Sequence, residues 1–216
     1  MKNKLFVFTL FLCFIIIVII VILYHFNIIP HKAYSDADFK IKTYISNVDK
    51  DQDGIDDQMD ILNSAKDYIS TKPKYKSKYY DTGYSNDEYG VCTDVVAQAL
   101  LNSGYDLMKL VNQDIINHSN IYNIDPIDMN IDFRRVRNLN LYFQNTAMSL
   151  TLNLNKIEEW QGGDIIVFKT HIGIISDKRN KHGVPFLIHH AYKHQFRYEE
   201  DILEGRNDII GHYRIS

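Results

Sequence analysis

Cys92 stands near the head of GVCTDVVAQALLNSG, residues 90–104, where a glycine-bearing loop gives way to apolar residues at helical spacing. A free thiol ionises near pH 8.5, and the thiolate is the competent nucleophile. A helix N-terminus and a neighbouring imidazole both lower that pKa, which is the setting of a cysteine hydrolase. Three histidines could supply the imidazole: His171, opening HIGIISD, and His189 and His190, adjacent in FLIHHAY. Side chains alternate between the faces of paired strands. His171 therefore shares a face with His189 or with His190, never both, and a one-residue change of register swaps the choice. The sequence leaves that register open. A third polar group would hold the base in its working tautomer. A metal-dependent hydrolase using His171, His189 or His190, and His194 is the competing chemistry, but no HExxH or comparable spacing supports it.

A second constellation lies upstream. DKDQDGIDDQMD, residues 49–60, places Asp49, Asp51 and Asp53 at alternate positions, followed by Gly54, with Asp60 at position twelve. Alternate carboxylates in a tight loop converge on one hard cation, the glycine permits the sharp turn, and Ile55 offers a backbone carbonyl. The expected ion is Ca²⁺ in a structural role. EF-hands prefer Glu at the twelfth position, whereas loops resembling those of dockerins use Asp. The bland reading of the same residues is a solvated acidic segment that caps the following helix. No organic cofactor is expected.

These groups need elements to hold them. Ile61, Leu62, Ala65, Tyr68 and Ile69 mark a helix after the acidic loop. Val95, Val96, Ala99 and Leu100 mark one face of a helix from Cys92 to Asn102, with Gly104 as its C-terminal cap. Further helices are expected over 107–116 and near 139–143. SKYYDTGYSNDEYG reads as a loop. After Trp160 the character changes to short β-branched or aromatic runs: GDIIVFK, HIGIISD, FLIHHAY and IIGHYRIS. Helices followed by a meandering antiparallel sheet make an α+β order.

The N-terminus fixes the setting. After MKNK come twenty residues without a charge, LFVFTLFLCFIIIVIIVILY, enough for a helix that crosses a hydrocarbon core. No small-x-small cleavage site follows, so an uncleaved signal anchor is expected over residues 1–30, then a tether over 31–45 and a domain over 46–216. Lys2 and Lys4 would stay cytoplasmic and the domain would lie outside the cell. Leu12 stands where a lipobox wants a small residue, which argues against lipidation of Cys13. The chain has 216 residues, two cysteines and a net charge of −3, so there is no basic balance to suggest nucleic-acid binding. With Cys13 inside the apolar run, Cys92 has no partner for an internal disulfide.

Five segments together resemble the bacterial domain of unknown function family 1287, of the NlpC-type papain-like cysteine peptidases and amidases. They are YYDTGYSNDEYGVCTDVVAQAL, NIDFRRVRNL, WQGGDIIVF, HIGIISD and LIHH, and the resemblance covers roughly residues 45–216. It implies a papain-like fold, with Cys92 as nucleophile, His171 as base and His189 as the orienting residue. LIHH is similar to the superfamily's fIHa segment, which favours His189 over His190. The chain departs from the family pattern at Phe133, where a histidine precedes the two arginines, and at His190. Asp94 reads as a helix N-terminal charge and Asp164 as the residue that fixes the turn before its strand. Arg134 and Arg135 face either an acidic substrate or solvent. No chemistry is assigned to His118, His182, His194 or His212.

The expectation is a membrane-anchored extracytoplasmic hydrolase that cleaves a peptide or amide bond, plausibly in cell-wall peptidoglycan. Its partners would be that substrate and the membrane, with no nucleic acid. The alternative is a non-catalytic wall-binding or scaffold domain on the same fold.

Overall fold

The computed structural model describes residues 2–215; Met1 and Ser216, the outer ends of the expected anchor and domain, lie outside the described residues. It divides into two compact units, up to Lys32 and from Ala33 onward. The first unit is α1 (Lys2–His25). Its Phe6–His25 stretch has a mean hydropathy of 3.6 and none of it is buried. A helix that is apolar all round has no polar face to offer water, and this one is long and apolar enough to cross a membrane.

In the second unit, helices precede an antiparallel sheet. The helices are α2 (Asp57–Ser70), α3 (Cys92–Asn102), α4 (Leu107–Asn117), the short α5 (Ser119–Tyr122) and α6 (Met129–Asp132), and α7 (Val136–Thr146). Between α2 and α3, β1 (Lys74–Tyr75) pairs in parallel with β2 (Tyr89–Gly90). The main sheet comprises β3 (Met148–Ser149), β4 (Ile165–Phe168), β5 (Ile172–Arg179), β6 (Pro185–Ile188), β7 (Glu199–Glu200) and β8 (Ile209–Arg214). Its order is β3-β8-β4-β5-β6-β7. The expected meander therefore runs only from β4 to β7, and β8 returns to pair with β4 instead of β7.

The sheet is covered on both faces. Ile165, Val167, Ile172, Ile174 and Ile188 join Ile61, Val95, Leu100 and Leu139 from the helices in the main core. Ile166, Phe168, Ile175 and Leu187 pack with Trp160 and Leu203 on the opposite face. This double burial explains why β4 reads as a continuous apolar run without alternation. Each such side chain contributes roughly 1.5–3 kcal/mol on burial.

Asp164 ties these layers together. Its fully buried carboxylate accepts from Arg214 Nε and Nη2, both at 2.7 Å, from Gln58 Nε2 at 2.9 Å and from His212 Nε2 at 3.0 Å. It also accepts from the Gln161 N–H at 2.9 Å, which is the turn-fixing contact expected of it. His212 is stacked on Trp160, 3.8 Å between ring centroids, in a buried structural role.

The segment read as a tether is fastened to the domain from Tyr34 onward. Tyr34 bridges to Arg179, Asp36 pairs with the buried Arg179 guanidinium, and the Tyr44 N–H donates to Gln161 Oε1 at 2.9 Å. Only partners distant in sequence reveal this, which is why a polar stretch of mixed composition reads as a linker.

Candidate active site

The register of the sheet settles which histidine faces His171. Ile174 pairs with Ile188 and Ile175 with Leu187, so Gly173 falls opposite His189. His171 and His189 then lie diagonally on one face of the sheet. Gly173 makes room for them: a Cβ there would lie 2.7 Å from the Ile188 carbonyl oxygen and 3.2 Å from His189 Cβ. His171 Nε2 is 2.9 Å from His189 Nδ1, and the rings meet edge to face. His190 points to the other face, buried between Tyr75 and Tyr198.

The same periodicity continues one strand further. Leu187 pairs with Glu200, placing Glu200 on the His189 face, and Glu200 Oε2 is 2.9 Å from His189 Nε2. Both side chains are nearly inaccessible, at 3% and 4%. Glu199 takes the opposite face, where it pairs with Lys178 and accepts from Ser176. Nothing in two adjacent glutamates signals which one turns inward.

Cys92 is the first residue of α3 and partly buried. The backbone N–H groups of Ile172, Thr93 and Cys92 itself act to lower the thiol pKa. The thiol thus lies against the residue next to His171. Among the described residues the His171 ring bonds to His189, and no hydrogen bond joins it to the thiol. Burial pushes the thiol up to about 11, against the lowering effect of the Ile172 N–H. This reverses the expectation that a helix N-terminus and an imidazole lower it: loss of water outweighs the dipoles. Burial also pushes His171 down to about 3, helped by His189 and Arg206. The pair therefore rests as neutral thiol and neutral imidazole. Burial lowers His189 to about 3 as well, followed by Arg206. Arg206 lies 4.4 Å above the Phe168 ring and pairs with Asp208 at 2.7 Å, two residues to which the sequence pattern drew no attention.

The α3 N-terminus is braced from below. Asp94 Oδ2 accepts from the Val91 N–H at 2.8 Å, and the carboxylate receives Arg134 Nε at 2.8 Å and Nη2 at 2.9 Å. Asp94 is thus the helix N-terminal charge expected of it. Arg134 is neither solvated nor open to a substrate; it is buried, with a further bond to the Lys78 carbonyl at 2.6 Å. Arg135 is exposed and sits 3.5 Å from Asp132. Phe133, at the position that departs from the family pattern, is a fully buried core residue against Tyr84.

In the acidic loop, ligand atoms of Asp49, Asp51 and Asp53 lie within 4.8 Å of one another. Asp49 accepts from the Asp53 and Gly54 N–H groups, at 3.2 and 3.0 Å, and Gly54 has φ +94°, which glycine adopts without strain. Ile55 is exposed beside them. Asp60 stands outside the three-carboxylate group. It is buried in the first turn of α2, 3.4 Å from the Ser64 hydroxyl, and burial raises its pKa, as do Asp51 and Asp53. The short Asp side chain does not bring position twelve into the convergent set.

Residues 62–215 match the family described as Domain of unknown function (DUF1287). The chain belongs to the DUF1287 family. The DUF1287 domain is also similar to a protein of Escherichia coli (strain K12) named "Uncharacterized protein YijF". Identity is 34% over 151 residues, 66% of this chain and 72% of YijF. No solved structure matches the chain. The matched span of the DUF1287 domain contains Cys92, His171, His189 and Glu200 and begins after the acidic loop.

Proposed function

We propose that the DUF1287 domain is a papain-like cysteine hydrolase of the NlpC type, which α1 anchors in the membrane with the domain outside the cell. One observation supports the reading: the His171–His189 pair begins one residue along the chain from Ile172, whose backbone N–H lowers the Cys92 thiol pKa. Cys92 sulfur attacks the carbonyl carbon of a peptide or amide bond. His171 takes the thiol proton in that step and later delivers it to the leaving amine. Backbone N–H groups at the start of α3 stabilise the oxyanion, and water then hydrolyses the acyl-enzyme. Peptidoglycan is the proposed substrate, on the strength of the membrane-spanning length of α1 and the NlpC resemblance.

The test is digestion of purified peptidoglycan by the full chain in detergent, with products identified by mass spectrometry. New amine and carboxylate ends that vanish after iodoacetamide treatment are expected. Cleavage that survives alkylation but stops with a chelator would replace this reading with a metal-dependent one. No new ends on any stem-peptide or cross-link amide would favour the non-catalytic wall-binding domain.

A structural Ca²⁺ on Asp49, Asp51 and Asp53 belongs to the same proposal, supported by their convergence. Calcium at a hundredfold excess over its dissociation constant should stabilise the domain by about 2.7 kcal/mol. Melting temperatures that ignore both calcium and chelator would remove the ion.

A further inference from the structure

His171 and His189 do not end the line of buried polar groups on their face of the sheet. We infer that Glu200 is a positioning residue for the proposed hydrolysis: its carboxylate fixes the tautomers of both histidines and leaves His171 Nδ1 unprotonated, the form that a base for Cys92 requires. The inference rests on the cysteine-hydrolase reading above.

The argument runs along the hydrogen bonds. An ionised carboxylate can only accept, so the 2.9 Å contact requires the proton on His189 Nε2. His189 Nδ1 is then a bare lone pair in the neutral ring. It accepts from His171 Nε2 across 2.9 Å, which places the His171 proton on Nε2 and leaves Nδ1 free. Gln195 Nε2 is 3.3 Å from His189 Nε2, but it is also 3.3 Å from the His189 carbonyl oxygen, which accepts its proton. Reversing the polarity would require Glu200 to be protonated and to donate to His189. In the attack step the S–H bond breaks as the S–C bond forms, the carbonyl π electrons move to oxygen, and the proton passes to His171 Nδ1. The His171 cation keeps donating Nε2–H to His189, and the buried Glu200 charge lies one ring beyond. When the C–N bond breaks, the same proton leaves with the amine, so Glu200 gains and loses no proton.

The tautomers can be read without any substrate. In the full chain in detergent, labelled with ¹⁵N-histidine, long-range proton–nitrogen spectra should show both His171 and His189 protonated on Nε2. Glu200→Gln, which keeps size but removes the charge, should move His189 toward a mixture of tautomers. On the cleaved substrate it should lower kcat about 100-fold with KM unchanged, and Glu200→Asp should recover part of the loss. A wild-type His189 protonated on Nδ1 would overturn the inference, as would a Glu200→Gln chain with unchanged tautomers and unchanged kcat. Should Glu200→Gln fail to fold, the wild-type spectrum alone decides. Failure of the hydrolase reading is seen separately, as a wild-type chain that cleaves nothing while its histidine spectra still report the tautomers.

Discussion

Cys92→Ala should leave the chain folded and lower peptidoglycan cleavage by about 1,000-fold or more. Loss of a covalent nucleophile removes the acyl-enzyme route altogether, and what remains is binding and oxyanion stabilisation. Folding should survive because Cys92 as a residue is of intermediate exposure and the alanine keeps α3 helical. The pH dependence follows from burial. With the thiol pushed up to about 11 in the free protein, iodoacetamide alkylation of Cys92 should still climb through pH 9, roughly tenfold per unit. A plateau by pH 8 would mean that a thiolate–imidazolium pair already exists at rest. Cleavage unaffected by Cys92→Ala would assign the residue to packing and sink the mechanism.

Arg134→Ala should destabilise the domain by about 3–5 kcal/mol, the usual result of breaking a buried ion pair from one side. The two side chains are each 2% exposed, and the variant would leave Asp94 charged and without its two Arg134 bonds. Arg134→Lys should recover only part of the loss, since an ammonium cannot reproduce the two-pronged contact. Urea denaturation of the full chain in detergent measures both. A cost under about 1 kcal/mol would place this pair among ordinary surface contacts. Because Asp94 also accepts from the Val91 N–H, the loosened region would be the loop-to-helix junction that carries Cys92.

Local pattern told much of this architecture. The helices after the acidic loop and after Cys92 follow from apolar spacing, and the strands after Trp160 from β-branched runs. What stayed hidden depends on partners far apart in the chain. The choice between His189 and His190 is a matter of register, which neither residue encodes by itself. Arg134 reads as a surface cation until its partner forty residues earlier is known. The segment beginning at Tyr34 reads as a linker because Arg179, which holds it, lies in β5. Glu200 escaped notice because nothing distinguishes it from Glu199 except which of the two sits opposite Leu187.

His171, His189 and Glu200 are linked by arithmetic as well as by hydrogen bonds. Each step to the next strand keeps the side chains on one face only while the residue count between strands preserves its parity. Deleting one residue from the turn at 180–184 would present His190 in place of His189, with amino-acid composition almost unchanged and the core strands still apolar on both faces. Length variation in this part of the domain should therefore keep the pairing of Gly173 with His189, through changes in pairs or through register shifts such as those between Ile175 and Arg179 and at Val167/Phe168. The loop between β6 and β7 carries Tyr192 and Phe196 exposed to solvent and has room for such change. Comparing loop lengths between related chains is then a test of shared chemistry that does not require the loops themselves to align.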